Sequence, residues 1–408
     1  MKNILLFFIL TICSVKTFSQ TTYTFIGNGN WTVSANWSSN TIPPTILPPG
    51  STIIIAPTVG GTCILNISQT ISQGANLVVS QGANFIIMGG MIITSFSQDV
   101  YISGATENLA GFTVATVWKN GVATTLTDGT QYAFANSVFV SGSDVYVTGY
   151  EYDAIGVYSV AKLWKNGLAT TLSPSHEGEA FSVFVSGNDV YVAGFENLPG
   201  SYHRARIWKN GIGTYLTNGA ADASAKSVFV SGVDVYVAGT VFDGTQNMAT
   251  VWKNNIATTL IDDTNPTDAN SIFVSGNDVY VAGSSIIGSN QDPLAILWKN
   301  STATHLSGTN TVSRANSVYV YGADVFVAGV EVAGINQNDV AKVWKNGTAI
   351  ALSNPTNNSE AISVFVIGSD IYALGYENTM TQTVPMIWKN AIGTTLPGTY
   401  IVSSIFVK

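Results

Sequence analysis

Residues 137–149 read SVFVSGSDVYVTG and are followed at Trp164 by the tetrapeptide WKNG. Versions of both pieces recur along the chain, so one supersecondary unit has been copied several times. The Trp-Lys-Asn triplet begins, in steps of 44 or 46 residues, at Trp118, Trp164, Trp208, Trp252, Trp298, Trp344 and Trp388. A period of this length built from short strand-like segments is typical of the four-stranded blade of a β-propeller. The sequence therefore predicts an all-β fold with a seven-bladed propeller over residues 97–408.

Two tight-turn signals divide each unit. Ser-Gly-Ser-Asp at residues 141–144 and Lys-Asn-Gly at residues 165–167 supply residues that tolerate positive φ. The strands predicted for the second blade are Ser137–Ser141, Val145–Gly149, Ala161–Lys165 and Ala169–Leu172. We expect the aspartate of the first turn, Asp144 and its equivalents, to hold turn backbone groups and to have a structural role.

The two ends of the repeat region predict how the ring closes. The first blade, from Asp99 to Leu126, has no SVFV-like strand before it, whereas the chain ends with such a strand at residues 404–408 and nothing follows. The C-terminal strand is therefore predicted to complete blade one, which removes the free sheet edges of an open ring.

The N-terminal segment predicts export. Residues 1–20 have a positive start at Lys2, an apolar run from Ile4 to Ile12 and then small or polar residues, which is the pattern of a signal peptide. No later apolar run is long enough to span a bilayer, so no transmembrane segment is expected. The predicted location is secreted or at the cell surface. Cys63 is the only cysteine after this leader, and we expect it to fill a strand core as a small hydrophobe.

Residues 21–96 do not share the repeat and predict a separate small β module. Short apolar strands alternate with Gly-Ala-Asn and Ser-Gln-Gly turns at a spacing of roughly nine residues. This pattern favours a small β-solenoid or a sandwich. Trp31 and Trp37 fit either a pair that stacks on sugar or, as we expect, a cover for the core of the module.

Composition and isolated polar residues exclude several classes of partner. The formal net charge of −8 disfavours nucleic acid and anionic membranes. His176, His203 and His305 lie in different blades without metal-ligand spacing, and the acidic loop at residues 262–268 lacks the EF-hand spacing that calcium binding would favour. No cofactor or metal is predicted, and we expect a monomer.

The repeat [ST]-[VI]-[FY]-V-x-G-x-D-[VI]-[YF]-V-A-G with W-K-N-G resembles the β-propeller repeats of secreted bacterial proteins. The N-terminal pattern GNGNW, ANWS and a Pro-rich turn resembles the β modules of bacterial surface proteins. These resemblances imply an extracellular propeller with a preceding β module and name no activity. The sialidase, WD40 and kelch signatures are missing from the repeat.

The seven copies differ most in two connections, the one after the second strand and the one between blades. In a meander both lie on the same face, which predicts a diversified binding surface on a uniform scaffold. The candidate ligand-binding residues there are Tyr150, Glu151, Phe195, Glu196, Glu331, Tyr376 and Glu377, because a ring beside a carboxylate suits sugar stacking and hydroxyl recognition. No catalytic set is recognised. The predicted function is a non-enzymatic binding protein for a glycan or an extracellular protein. The alternative is a carbohydrate-active enzyme that uses paired carboxylates.

Overall fold

The computed structural model describes residues 21–48, 51–71, 75–89, 91–93, 98–198, 200–287, 292–308, 311–333, 338–379, 382–396 and 400–408. They belong to two compact units, one before Gln98 and one from Gln98 to Lys408. The predicted signal peptide, residues 1–20, lies outside the described residues, so export stays a prediction.

The first unit is a three-sided parallel β-solenoid. Its described residues form β1 (Thr22–Phe25), β2 (Gly29–Asn30), a 3-10 turn (Ser34–Asn36), β3 (Ile46–Leu47), β4 (Thr52–Ile55), β5 (Thr62–Leu65), β6 (Gln69–Ile71), β7 (Asn76–Val79), β8 (Asn84–Ile87) and β9 (Met91–Ile93). Three parallel sheets have the orders β1-β4-β7, β2-β5-β8 and β3-β6-β9. Each coil therefore adds one strand to each side. Of the two folds considered for this module, the described strands form the solenoid and not the sandwich.

The inner faces of these strands form a small closed core. Trp31 and Trp37 are almost completely buried and pack edge to face, with their ring centroids 4.8 Å apart. They cover the core and cannot present a sugar-stacking surface. Cys63 lies beside them, and burial raises the pKa of its thiol to about 12. It packs as a small hydrophobe, in agreement with the sequence prediction.

The second unit is a seven-bladed propeller, as predicted. Its strands are β10 (Val100–Glu107), β11 (Thr113–Lys119), β12 (Val122–Thr125), β13 (Ala133–Ser141), β14 (Asp144–Tyr152), β15 (Ser159–Lys165), β16 (Leu168–Thr171), β17 (Glu177–Ser186), β18 (Asp189–Asn197), β19 (His203–Lys209), β20 (Ile212–Tyr215), β21 (Ala223–Ser231), β22 (Asp234–Phe242), β23 (Asn247–Lys253), β24 (Ile256–Thr259), β25 (Thr267–Ser275), β26 (Asp278–Ile287), β27 (Asp292–Lys299), β28 (Thr302–His305), β29 (Ser313–Tyr321), β30 (Asp324–Ala333), β31 (Asn338–Lys345), β32 (Thr348–Ala351), β33 (Asn358–Ile367), β34 (Asp370–Asn378), β35 (Thr383–Lys389), β36 (Ile392–Thr395) and β37 (Tyr400–Val407).

The blades follow the chain, with the predicted closure at its end. Blades 2 to 7 are antiparallel meanders that begin at β13, β17, β21, β25, β29 and β33, and blade 1 has the strand order β12-β11-β10-β37. The C-terminal strand pairs with β10 from Val100↔Val407 to Thr106↔Tyr400. The first and last parts of the propeller therefore share one sheet, and the ring has no open blade.

The uniform hairpin face is held by a repeated trio of side chains. In blade 2, Asn166 has φ of 50°, and its side-chain amide donates to Asp144 while its amide oxygen accepts from the backbone N–H of Val145. Lys165 lies 2.8 Å from the other oxygen of Asp144. These contacts lower the pKa of Asp144, with the hydrogen bond from Lys165 as the largest cause. The aspartate therefore joins the two hairpins of its blade.

The repeated tryptophans pack between blades, but their N–H groups differ. Trp164 and Trp208 are both about 1% exposed. The indole N–H of Trp208 donates to the carbonyl of Leu172 at 3.1 Å, whereas that of Trp164 has no partner among the described residues. Each ring fills an equivalent space, so the pair isolates the contribution of one buried hydrogen bond.

We expect Trp208→Phe to destabilise the protein more than Trp164→Phe by about 1 kcal/mol, because only the first change breaks a hydrogen bond and leaves a buried carbonyl unpaired. Equilibrium unfolding in urea measures the difference, and the two variants are each other's control for lost ring volume. Equal losses would show that the Trp208 hydrogen bond contributes nothing to stability.

Candidate functional site

The first strand of each blade surrounds the axis of the ring. These strands contact one another in a closed circuit through β13, β17, β21, β25, β29, β33 and β37. The fourth strands lie at the rim, and β16 and β24, for example, are exposed along their whole length. Side chains of the first strands that do not pack between blades therefore face the channel.

Buried and half-buried positions alternate along these first strands. In β13 the buried positions are Ala133, Ala135, Val138 and Val140. A β-bulge shifts the register between Ala135 and Ser137. The half-buried positions before and after the bulge consequently lie on the same side of the sheet, which faces the axis.

A closed ring of aromatic side chains narrows the channel near the hairpin face. Neighbouring ring centroids are 4.6 to 5.0 Å apart all the way round. The members are Phe139, Phe184, Phe229, Phe273, Tyr319, Phe365 and Phe406. This ring forms a floor for the part of the channel that opens toward the variable connections.

A ring of serines lies directly above the aromatic floor. In six seams the serine hydroxyl of one blade accepts a hydrogen bond from a backbone N–H of the next blade, at 3.1 to 3.4 Å. The acceptors are Ser137, Ser182, Ser227, Ser271, Ser317 and Ser363. These bonds fix the blades at the level just below the variable residues.

Above the serines, two positions of the first strand vary widely in charge and size between copies, whereas the position between them and the serine that follows are nearly constant. The position between them is alanine in six of the seven copies, and the serine is present in all seven. The upper position holds Phe134, Glu179, Ser224, Asp268, Arg314, Glu360 and Ile401, and the lower one holds Asn136, Phe181, Lys226, Asn270, Asn316, Ile362 and Ser403. We call these fourteen side chains the channel mouth.

Charges of alternating sign follow one another around the mouth from blade 3 to blade 7, in the order Glu179, Lys226, Asp268, Arg314 and Glu360. Blades 1 and 2 contribute apolar residues to the upper position, Ile401 and Phe134. The mouth therefore has a charged arc of five blades and an apolar arc of two.

Lys226 and Asp268 form the first loose pair of the charged arc. The ammonium of Lys226 donates to the side-chain oxygen of Asn270 at 3.1 Å and lies 3.8 Å from Asp268. Asp268 in turn accepts a hydrogen bond from the hydroxyl of Thr240 at 2.9 Å. Burial lowers the pKa of Lys226, and the nearby carboxylate of Asp268 only partly opposes this effect. The charge on Lys226 is therefore incompletely compensated.

Arg314 and Glu360 form the second loose pair. Glu360 accepts hydrogen bonds from the amide of Asn316 at 2.8 Å and from the hydroxyl of Tyr376 at 2.6 Å. The guanidinium of Arg314 lies 3.9 Å from Glu360, beyond hydrogen-bond distance, and the side chain forms no hydrogen bond with the described residues. This side chain is 43% exposed and retains its donors for another acceptor.

Glu179 is the carboxylate of the mouth with the most perturbed titration. Burial raises its pKa to about 7, the negative charge of Glu177 acts in the same direction, and a hydrogen bond with Ser159 opposes them. A carboxyl group with this pKa exchanges protons at neutral pH, as a general acid or base must.

The seven residues proposed from the sequence do not form one site. Adjacent residues of a strand point to opposite faces of the sheet, so the ring and the carboxylate of each pair diverge. The rings lie on the side of the mouth: Tyr150 stacks on Phe134, Phe195 packs on Phe181, and Tyr376 donates to Glu360. A ligand-binding role for these seven residues stays a prediction that no contact tests.

The four glutamates of that set are bound within their own blades. Glu151 pairs with Lys162 at 3.2 Å, and Glu331 pairs with Lys342 at 3.0 Å. Glu196 pairs with Arg206 and accepts from Tyr215, and Glu377 accepts from the amide of Asn357 at 2.7 Å. A sequence signal exists for the first three pairs, because a basic residue stands two positions before the repeated tryptophan only in those three copies, as Lys162, Arg206 and Lys342.

The histidines and the acidic loop are also separate. His305 contacts Asp262 at 3.0 Å, whereas Asp268 belongs to the channel mouth. His176 lies 3.8 Å from Glu196, and His203 packs on Phe195. The described residues contain no group of three metal-ligating side chains. Within the same residues no helix is long and apolar enough to cross a membrane.

No protein-family model and no curated protein matches this chain. Among solved structures, it is similar to a chain from a structural and mechanistic analysis of two prolyl endopeptidases, which concerns the role of inter-domain dynamics in their catalysis and specificity. The TM-score is 0.46 at 12% identity, over 77% of this chain and 50% of that chain. The protein thus spans half the length of the chain that it matches.

The prediction of a non-enzymatic binding protein that acts through its variable connections is not in line with this comparison, whose matched chain comes from a study of endopeptidases. That prediction is withdrawn. The activity of the endopeptidases is not transferred, because the likeness is too low to carry it. The carbohydrate-enzyme alternative stays a prediction, and three of the glutamates that it named form ion pairs inside separate blades.

Proposed function

We propose that the channel mouth recognises a small zwitterionic molecule, such as a short peptide with both termini free. The observation that carries the proposal is the series of alternating charges on five consecutive blades, held above a closed aromatic floor. Such a series offers an anion-binding and a cation-binding group side by side. Recognition of this kind serves a substrate as well as a ligand that is released unchanged.

The fold does not require these charges. Blades 1 and 2 carry Ile401 and Phe134 at the upper position and have the same strand order and bulge as the charged blades. Half-buried charges cost desolvation free energy, so they are a poor choice for stability alone. Their presence in one arc therefore points to a ligand.

The basic groups of the arc have unused capacity for a carboxylate. Arg314 has no hydrogen-bonded acceptor in the described part of the chain, and a guanidinium binds a carboxylate through two parallel N–H donors. The lowered pKa of Lys226 means that its ammonium form is under-stabilised. A bound anion would accept hydrogen bonds from Arg314 and would stabilise the charged form of Lys226.

The acidic groups of the arc suit an ammonium. Asp268 lies 3.8 Å from Lys226 and Glu360 lies 3.9 Å from Arg314, which are loose separations for ion pairs. Each carboxylate has further lone pairs for a ligand N–H group. Because acidic and basic groups alternate, one molecule with opposite charges a few ångströms apart can engage neighbouring blades together.

The test compares three forms of one dipeptide by calorimetry. We expect L-alanyl-L-alanine to bind at least tenfold more tightly than its N-acetyl form, which lacks the ammonium, and its C-terminal amide, which lacks the carboxylate. Arg314→Gln should reduce the affinity for alanylalanine about tenfold and leave the affinity for the amide unchanged, since a charge-assisted hydrogen bond contributes roughly 1.5 to 3 kcal/mol.

Arg204→Gln is the matched control, because Arg204 stacks over Tyr215 in blade 3 and is not part of the mouth. It should bind alanylalanine as the unmodified protein does. Absence of alanylalanine binding, or equal affinities for the three forms, would disprove recognition of a zwitterion.

A further inference from the structure

A cavity of about 520 Å³ lies between blades 7 and 1, beside the channel mouth. Its apolar wall includes Ala105, Pro385, Ile401 and Val402, and Tyr376 stands at the side nearest Glu360. The volume falls within the range of small-molecule sites, about 300 to 1,000 Å³. The cavity is therefore large enough for a bulky side chain of a ligand.

One small residue at the closing seam borders the cavity. At the second-strand position where blades 2, 3 and 7 carry Tyr150, Phe195 and Tyr376, blade 1 carries Ala105. In blades 2 and 3 the ring fills the space beside the first strand by packing on Phe134 or Phe181. With alanine at this position, the corresponding space in blade 1 is open.

Two shared residues connect the cavity to the charged arc. Ile401 belongs both to the cavity wall and to the upper position of the mouth, and it is 57% exposed. Tyr376 lines the cavity with its ring and donates its hydroxyl to Glu360, which lies beside Arg314. A molecule with an apolar group in the cavity can therefore extend past Tyr376 toward the pair formed by Arg314 and Glu360.

We infer that this seam cavity is a specificity subsite for a bulky apolar side chain of the bound zwitterion. This inference rests on the proposed function and narrows it to peptides with a large aromatic or aliphatic residue. Burial of one aromatic side chain removes about 150 to 250 Å² from water. That is enough to select such a peptide strongly over one with only methyl side chains.

The experiment measures the ratio of the affinities for different dipeptides. A general disturbance of the channel mouth would weaken the binding of all of them and leave this ratio unchanged. L-Phenylalanyl-L-alanine, L-alanyl-L-phenylalanine and L-alanyl-L-alanine are titrated into the full chain. We expect at least one phenylalanine-containing dipeptide to bind tenfold or more tightly than alanylalanine. In Ala105→Phe the preference should fall below threefold while the affinity for alanylalanine is kept, because the new ring fills the cavity as Phe195 fills its own blade.

Ser284→Phe places the same ring at the same repeat position of blade 5, which does not line the cavity, and should retain the preference. Ile401→Trp, at an exposed position of the cavity wall, is the second variant if Ala105→Phe does not fold; because Ile401 also belongs to the mouth, only the ratio of affinities is compared, and it should fall below threefold. A preference that survives these cavity-filling changes would overturn the subsite. Binding of all three dipeptides with equal affinity would overturn the subsite and leave zwitterion recognition intact. Failure of all three to bind would overturn the proposed function.

Discussion

Removal of residues 404–408 is expected to unfold the whole propeller ring and not merely to loosen one blade. Ile405 and Val407 are at most 4% exposed, and Phe406 completes the aromatic floor between Phe365 and Phe139. Full burial of each such side chain contributes about 1.5 to 3 kcal/mol, so the deletion removes about 5 kcal/mol or more. A domain is typically stable by only about 5 to 15 kcal/mol.

The backbone makes the loss larger. The last strand pairs with β10 along its length, and Asp99 and Lys408 exchange two hydrogen bonds of 2.9 and 3.0 Å. Without this strand the edge of β10 would be unpaired and blade 7 would lose the neighbour that its first strand packs against. We expect the truncated chain to lack the cooperative thermal transition of the propeller in calorimetry.

Two point variants of the last strand show whether its buried side chains close the ring or whether the strand contributes only as a C-terminal extension. Phe406→Ala should cost about 3 kcal/mol, since it removes one member of the closed aromatic floor. Ile401→Ala, at an exposed position, should cost less than about 1 kcal/mol. A truncated chain that melts at the temperature of the full chain would refute closure by the C-terminal strand.

The propeller could be predicted because its repeat combines turn chemistry with a fixed period. Asn166 and its equivalents have φ near 50°, which the Lys-Asn-Gly signal anticipates. The missing first strand of blade 1 and the unpaired strand at the C-terminus are likewise visible in the sequence. The choice between a solenoid and a sandwich could not be predicted from the sequence. Strands as short as Ile46–Leu47 have no periodicity, and their parallel pairing depends on distant coils.

The channel mouth was missed because its residues lie inside the most uniform strand of the repeat. The connections differ most visibly between copies, whereas Glu179 and Arg314 vary within a strand, just before a position that is alanine in six of the seven copies. An alignment of the seven copies residue by residue would have revealed them. The ion pairs of Glu151 and its equivalents were missed for a different reason. They depend on the alternation of side chains along a strand and on a partner in another strand, such as Lys162.

Glu179→Gln is expected to make the protein more stable at pH 8 than the unmodified chain by about 1 to 2 kcal/mol, and to leave its stability at pH 4 almost unchanged. The folded-state pKa of Glu179, about 7, lies above its ordinary value of 4.5, chiefly because the group is buried. The stability that its proton contributes is fully present below pH 4.5 and is lost as the pH rises through 7. Each unit of pKa shift corresponds to 1.36 kcal/mol, which partial access to water reduces.

Glutamine removes this loss because it stays neutral and has nearly the same shape as the protonated glutamate. The difference between variant and unmodified chain should therefore grow between pH 4.5 and 7 and then level off, as measured by urea unfolding at a series of pH values. Glu177→Gln is the matched control. It removes the neighbouring negative charge, so the pKa of Glu179 should fall and the pH-dependent region should move to lower pH.

The same titration bears on the proposed ligand. An ammonium group bound near Glu179 would favour the ionised carboxylate, so binding should release a proton near pH 7 and strengthen as the pH rises through it. In Glu179→Gln both the proton release and this pH dependence should disappear. A variant that differs from the unmodified chain by the same free energy at pH 4.5 and pH 8 would show that Glu179 titrates normally, and the mouth would then lack a group able to exchange a proton with its ligand at neutral pH.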